Sequence, residues 1–324
     1  MTPRVAIALG DPAGIGPELA LKAATDPRVR ALCTPVLFGA AAAVAAHRAA
    51  AGCTAPVVPV ARADQPAPPG AVALVETGPA APPRLGVIAA EHGRAALDAA
   101  GAAIDAARAG LVAGVVACPQ TEAAIHQAGI DFDGYPSFVA RRTGIAPEDA
   151  FLMLCFDATR IVHATLHVSL ARAITLVTPE RLARVLAATD AALRRQGIAA
   201  PRIAVAGLNP HAGEAGAFGR EEIETIAPAI AAAVRDGIEA EGPFGADTMF
   251  HRPGYDAFVV MYHDQGHLAA KLLARNRTAG MSIGTPVVFS SVAHGSALDI
   301  AGRGEASAEA VVEAIRRVIG AGPC

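Results

Sequence analysis

The stretch from Val260 to Lys271 reads VMYHDQGHLAAK and completes an apolar run that begins at Ala257. Ala257 to Met261 is short, continuous and apolar, the pattern of a buried strand of a parallel sheet. The run breaks off into Tyr262, His263, Asp264, Gln265, Gly266 and His267. Open α/β sheets build their ligand crevices at the carboxyl ends of such strands. Lys271 is expected on the first turn of the helix that follows. Two histidines, an aspartate and a lysine make a poor core, but they suit a metal ligand and a proton carrier beside a substrate.

Outward from this strand, the same alternation recurs. Val5 to Leu9 reads as a strand, Gly10 to Gly16 as a glycine-rich loop and Pro17 to Ala24 as a helix. Thr34 to Phe38 is a strand before an Ala-rich helix. Glu91 to Arg108 has helical periodicity, and Val112 to Ala117 is a buried strand. Ala150 to Cys155 and Arg160 to Thr165 are strand-like and close enough to pair. Pro179 to Gln196 is an amphipathic helix, Arg202 to Ala206 a strand running into GLNPHAGE, Arg220 to Asp236 a helix, and Ser307 to Ile319 the closing helix. Alternating strands and helices imply an α/β class with largely parallel sheets. The expected architecture is two α/β/α domains with a cleft between them. Residues 1–125 with 284–324 form one discontinuous domain, and 126–283 form the second.

Composition narrows the function. The chain has 324 residues, 53% apolar and 4% aromatic, with no Trp. The net charge of -3, with both signs interspersed, argues against nucleic acid, which needs a basic face. No run reaches the ~18 apolar residues of a membrane span, and the chain enters a strand with no leader-like segment before it. Cys33, Cys53, Cys118, Cys155 and Cys324 are scattered and form no CxxC, which suits reduced thiols of a cytoplasmic protein.

Of the ten histidines, His167, His211 and His263 each closely follow an apolar run. They lie far apart in sequence and form no local metal motif, so surface or capping roles would give the same pattern. Three neutral imidazoles with an open position suit Zn²⁺ or another borderline divalent ion acting as a Lewis acid.

GDPAGIGPE (Gly10 to Glu18), GLNPHAGE (Gly207 to Glu214), YHDQGH (Tyr262 to His267) and HGSALDIAGRG (His294 to Gly304) occur in this order. Together they resemble the 4-hydroxythreonine-4-phosphate dehydrogenase family over essentially the whole chain. The resemblance implies an isocitrate and isopropylmalate dehydrogenase-like architecture and a homodimer with the active site at the subunit interface. It implies a divalent metal, zinc being the expected ion, held by His167, His211 and His263, one of them from the partner subunit. It also implies NAD or NADP as hydride acceptor, with His294, Gly295, Ser296, Ala297 and Asp299 in the nucleotide loop. Gly295, Ser296 and Ala297 leave room for close backbone approach, and Asp299 is suited to accept from ribose or adenine. No GxGxxG fingerprint is present, so a Rossmann site is not implied.

Departures from the family pattern point to the substrate. In the phosphate-using members the loop at Gly134 continues with His and Thr, whereas here Tyr135, Pro136 and Ser137 follow. Glu122 stands where those members carry a lysine. Two phosphate-binding positions, an Asn and an Arg, fall at Gly280 and Phe289, while Lys271 remains. Phosphate wants Arg, Lys and backbone donors, so this set implies a substrate without phosphate. GYPSF, Glu122 and DQGH followed by KLLA resemble the family branch that oxidises terephthalate 1,2-cis-dihydrodiol to protocatechuate with loss of CO₂.

Within that reading, Lys271 is a carboxylate anchor or proton carrier, with an exposed helix lysine as the plain alternative. His267 is a candidate contact for a substrate carboxylate. Asp247 in GADTMF is a candidate to orient a metal-binding histidine or the substrate, with a helix N-cap as the alternative. Two other functions stay open: a phospho-hydroxy-acid dehydrogenase, and a metal-dependent hydrolase or lyase with no NAD.

Overall fold

The computed structural model describes residues 2–79, 81–274 and 277–320. Cys324 lies outside them. The strands in chain order are β1 (Arg4–Ala8), β2 (Thr34–Gly39), β3 (Val57–Val60), β4 (Val72–Glu76), β5 (Gly114–Ala117), β6 (Phe151–Phe156), β7 (Thr159–His163), β8 (Arg202–Ala206), β9 (Glu239–Phe244), β10 (Ala257–Val260), β11 (Ala279–Ile283) and β12 (Phe289–Val292). They form one sheet in the order β3-β4-β2-β1-β5-β12-β11-β6-β7-β10-β8-β9.

Strand β1 shows how the sequence builds this sheet. Val5 and Ile7 join a core with Leu19 and Leu21 of the helix Gly16–Thr25 and with Val311 and Ile315 of the helix Glu309–Val318. Ala6 and Ala8 point the other way, against Ala100 and Ile104 of the helix Ala90–Arg108. Both faces are covered, so the strand reads as a continuous apolar run. The other half repeats the arrangement. Val205 and Val259 pack on Val185 and Leu186 of the helix Pro179–Arg195, while Phe258 and Val260 pack with Ala270 and Ala274 of the helix His263–Ala274.

The expected alternation holds, but the middle of the sheet differs from the largely parallel expectation. Pairing is parallel from β3 through β12 and from β7 through β9. Between these blocks, β12–β11, β11–β6 and β6–β7 are antiparallel. The tight connection at Asp157, with φ of 44°, turns β6 straight back into β7. Strands β11 and β12, rich in Gly and Ser, lack the apolar signal of the others and join the two halves. Strand β3, with Pro59, lies at the sheet edge, where a missing N–H is tolerated.

One local expectation is corrected. Lys271 lies in the last turn of the helix His263–Ala274, not the first. The helix starts directly at His263 because Gln265 folds back over its beginning. Its side-chain oxygen accepts the Met261 N–H at 2.7 Å and its amide donates to the Gly207 carbonyl at 2.9 Å. Cys33, Cys53, Cys118 and Cys155 are free and buried. No helix of the described residues is long and apolar enough to cross a membrane.

Candidate active site

A cavity of about 450 Å³ opens over the antiparallel centre of the sheet. Leu152, Leu154, Gly280 and Ser291 form its floor, and Glu122, Tyr135 and Pro136 one wall. His167, His263, His267 and Lys271 form another wall, with His294 and Gly295 also lining the cavity. A Cβ at Gly280 would sit 3.3 Å from Leu152 and 3.4 Å from Ser291, so the glycine keeps the floor open.

The histidine wall follows from helix geometry. Residues i and i+4 share a face, so His267 stacks on His263 with ring centroids 3.7 Å apart and planes 8° apart. The His167 ring lies 5.7 Å from that of His263. Nδ1 of His167 donates to the Asp133 carbonyl at 2.7 Å, and Nδ1 of His263 donates to the Asp264 carboxylate at 2.6 Å. Each ring therefore presents a lone pair at Nε2, two nitrogen donors suited to a divalent ion, each with its tautomer fixed from behind. Gly134, at φ of 121°, lets the Asp133 loop approach His167, because a Cβ there would lie 3.3 Å from the ring.

Sequence reasoning missed His163, at the end of β7. It is buried, and His267 Nδ1 lies 3.1 Å from its Nε2. Burial and the neighbouring rings pull the pKa of His163 down to about 3. Burial, with His263 next in weight, pulls that of His267 down to about 4. The signal available was a histidine directly after the buried apolar pair Ile161 and Val162, matched to Gly266 on the covering helix.

His211 does not join this wall within one chain. Among the described residues, no group of three His, Cys, Asp or Glu side chains is arranged to hold a metal ion. His211 lies on a left-handed run, with positive φ at His211, Ala212, Gly213, Glu214 and Ala215. L-residues avoid that conformation, so the run has to be held. The Glu222 carboxylate anchors the two residues ahead of it, accepting from Leu208 N at 2.8 Å, Asn209 N at 2.7 Å and Asn209 Nδ2 at 3.0 Å. Exposed Asp247 belongs to this neighbourhood. A Cβ at Gly245 would meet both its carboxylate and the His211 Cα.

Other expected residues are placed differently from the reading as wall or nucleotide contacts. Ser137 donates to the Asp133 carboxylate and to the Gly134 carbonyl, so it braces the loop under His167 and does not face the cavity. Phe289 is fully buried beneath Tyr135, with ring centroids 4.9 Å apart. It supports the wall without lining it. In the loop after β12, the Ser296 hydroxyl turns inward to Thr121, which also donates to buried Asp11. The Ser296 carbonyl accepts from Ile15 N at 2.9 Å, tying the two glycine-rich motifs together. Ala297 adopts φ of 40°, and Asp299 is exposed.

Residues 31–318 match the family described as pyridoxal phosphate biosynthetic protein PdxA. The chain is 40% identical to a putative D-threonate 4-phosphate dehydrogenase of Bradyrhizobium diazoefficiens, over 97% of this chain and 96% of that one. A 4-hydroxythreonine-4-phosphate dehydrogenase from Klebsiella pneumoniae superposes with a TM-score of 0.87 at 34% identity, covering 98% of this chain and 99% of that one. A terephthalate 1,2-cis-dihydrodiol dehydrogenase from Burkholderia xenovorans LB400 superposes with a TM-score of 0.71 at 41% identity, covering 98% of each. The fold is also shared with a β-decarboxylating dehydrogenase from Thermococcus kodakarensis, at 15% identity and a TM-score of 0.50, over 98% of this chain and 84% of that one.

Proposed function

The chain belongs to the PdxA family and is a dehydrogenase, and from that premise we propose that it oxidises a cyclic cis-dihydrodiol carboxylate of the terephthalate type with NAD or NADP. The observation that carries this reading is the make-up of the cavity. Outside its histidines the lining is largely apolar or glycine, and it holds a single lysine, Lys271, no arginine, and a single carboxylate, Glu122. A carboxylate on a carbon ring needs one cationic anchor, whereas a phosphate dianion is better served by several donors. Oxidation of the secondary alcohol leaves a ketone β to a carboxylate. Loss of that carboxylate as CO₂ makes the ring aromatic.

Lys271 binds the remaining carboxylate, Tyr135 and Pro136 pack on the ring, and the wall excludes water from the reacting carbon. His167 and His263 would hold a divalent ion, with His211 supplied by a second copy of the chain. When bound, that ion supplies Lewis acidity and the dinucleotide accepts the hydride. His294 and Gly295 line the cavity where the dinucleotide would enter. The homodimer and a cytoplasmic location, consistent with four buried free thiols, are part of the proposal.

A second reading is a phosphorylated hydroxy acid as substrate. The family's name and the relatives weigh toward it, since the Bradyrhizobium and Klebsiella proteins are both named for phosphate esters. The test is NAD⁺ or NADP⁺ reduction by the metal-loaded protein, offered the terephthalate cis-dihydrodiol, 4-hydroxythreonine 4-phosphate and D-threonate 4-phosphate side by side. Turnover confined to the dihydrodiol is expected. Turnover confined to a phosphate ester would replace the first reading with the second.

A further inference from the structure

His163 and His267 form a pair that the chemistry above does not use. His163 is 1% exposed and lies under the helix His263–Ala274. A Cβ at Gly266 would come within 2.4 Å of its Nε2, so the bare glycine is what lets the ring reach the helix.

Two backbone carbonyls fix the hydrogens of the pair. Nδ1 of His163 faces the Leu152 carbonyl at 3.4 Å, and Nδ1 of His267 faces the His263 carbonyl at 3.2 Å. A carbonyl oxygen only accepts, so each Nδ1 carries the hydrogen. Nε2 of His163 is then a lone pair, and the one His267 Nδ1–H is shared between the His263 carbonyl and that nitrogen, 3.1 Å away. Nε2 of His267 keeps its lone pair, has no hydrogen-bond partner among the described residues, and belongs to a ring that borders the cavity. Lys271 follows one turn later on the same helix and borders the same cavity.

We propose that His163 is a positioning residue that locks His267 with Nε2 as an acceptor, and that His267 determines specificity by taking a hydrogen bond from a substrate hydroxyl while Lys271 takes the neighbouring anionic group. A carboxylate or phosphate is itself an acceptor, so neither pairs with His267 in this state. This replaces the expectation that His267 meets a carboxylate. The inference rests on the dehydrogenase reading but not on which of the two substrate classes is correct.

The first arm of the test needs no substrate. In the full-length protein labelled with ¹⁵N at histidine, long-range ¹H–¹⁵N spectra report which nitrogen carries the hydrogen, and His163→Gln and His267→Gln identify the two rings. Both are expected to be protonated at Nδ1 alone. A His267 signal with its hydrogen on Nε2 overturns the proposal.

The second arm is kinetic and uses whichever hydroxylated probe the metal-loaded parent turns over. His163→Leu should lose about 10–100-fold in kcat/KM with its thermal midpoint at neutral pH unchanged. His163→Gln, whose side-chain oxygen can accept from His267, should recover part of that loss. Full activity in His163→Leu overturns the positioning role. A parent that oxidises neither substrate class defeats the functional reading while the spectra still decide the tautomer.

Discussion

Burying His163 makes the fold sensitive to acid. Its folded pKa of about 3 lies below the ordinary 6.5, so between these values the unfolded chain binds the proton that the folded chain refuses. The stability this neutral ring allows is complete above pH 6.5 and is lost as the pH falls through that window toward 3. His163→Leu should therefore show a shallower acid limb than the parent in denaturant unfolding followed from neutral pH downward. Equal limbs would mean that the ring is not held neutral by burial. That His263, His267 and Lys271 share a helix face was legible, because residues four apart after an apolar strand leave little choice of face, whereas the approach of His167 to that face depends on a segment distant in the chain. The partners of Ser137 and Phe289 were not. Whether a side chain lines a cavity or supports its wall depends on what packs over it, and Tyr135 covers Phe289.

At the scale of elements, the left-handed run from His211 to Ala215 is the part that local sequence preference most opposes. Each L-residue there costs on the order of 1–2 kcal/mol, and Glu222 fixes the segment that enters the run through three hydrogen bonds to Leu208 and Asn209. Glu222→Ala leaves the Leu208 and Asn209 amides without their acceptor. A loss of about 1–3 kcal/mol in unfolding free energy is expected. Metal affinity, measured by calorimetry, should fall further than the loss of folded protein explains. Unchanged metal affinity would separate this loop from the proposed metal site. PHAGEAG reads as an ordinary glycine-containing loop, so the strain could not be read from composition. The same limit hid β11 and β12, whose Gly and Ser content lacks an apolar signature although they form the sheet's centre.

For the whole molecule, a single chain leaves apolar side chains exposed near the histidines proposed to bind metal. Leu268, Leu272 and Leu273 lie on the histidine helix, with Leu272 81% exposed, and Val168, Leu170 and Ile174 follow His167. Phe218 is exposed beside His211. Exposed apolar side chains of this kind suit an interaction surface, and the proposed dimer places a second copy here to supply the remaining histidine. Leu170→Asp combined with Leu272→Asp should convert a dimer to a monomer in sedimentation equilibrium and abolish activity. A fully active monomer would remove the shared site. The alternating α/β class was legible from the periodic apolar runs. The continuity of the sheet was not, because it depends on pairing between segments far apart in the chain.

The most direct test follows all products of one reaction. Metal-loaded protein is given the terephthalate cis-dihydrodiol with carboxyl carbons labelled, and reduced dinucleotide, labelled CO₂ and protocatechuate are measured together. The account predicts that the three appear one for one. No reduced dinucleotide from the dihydrodiol, with reduction in a parallel vessel containing a phosphorylated hydroxy acid, would contradict it.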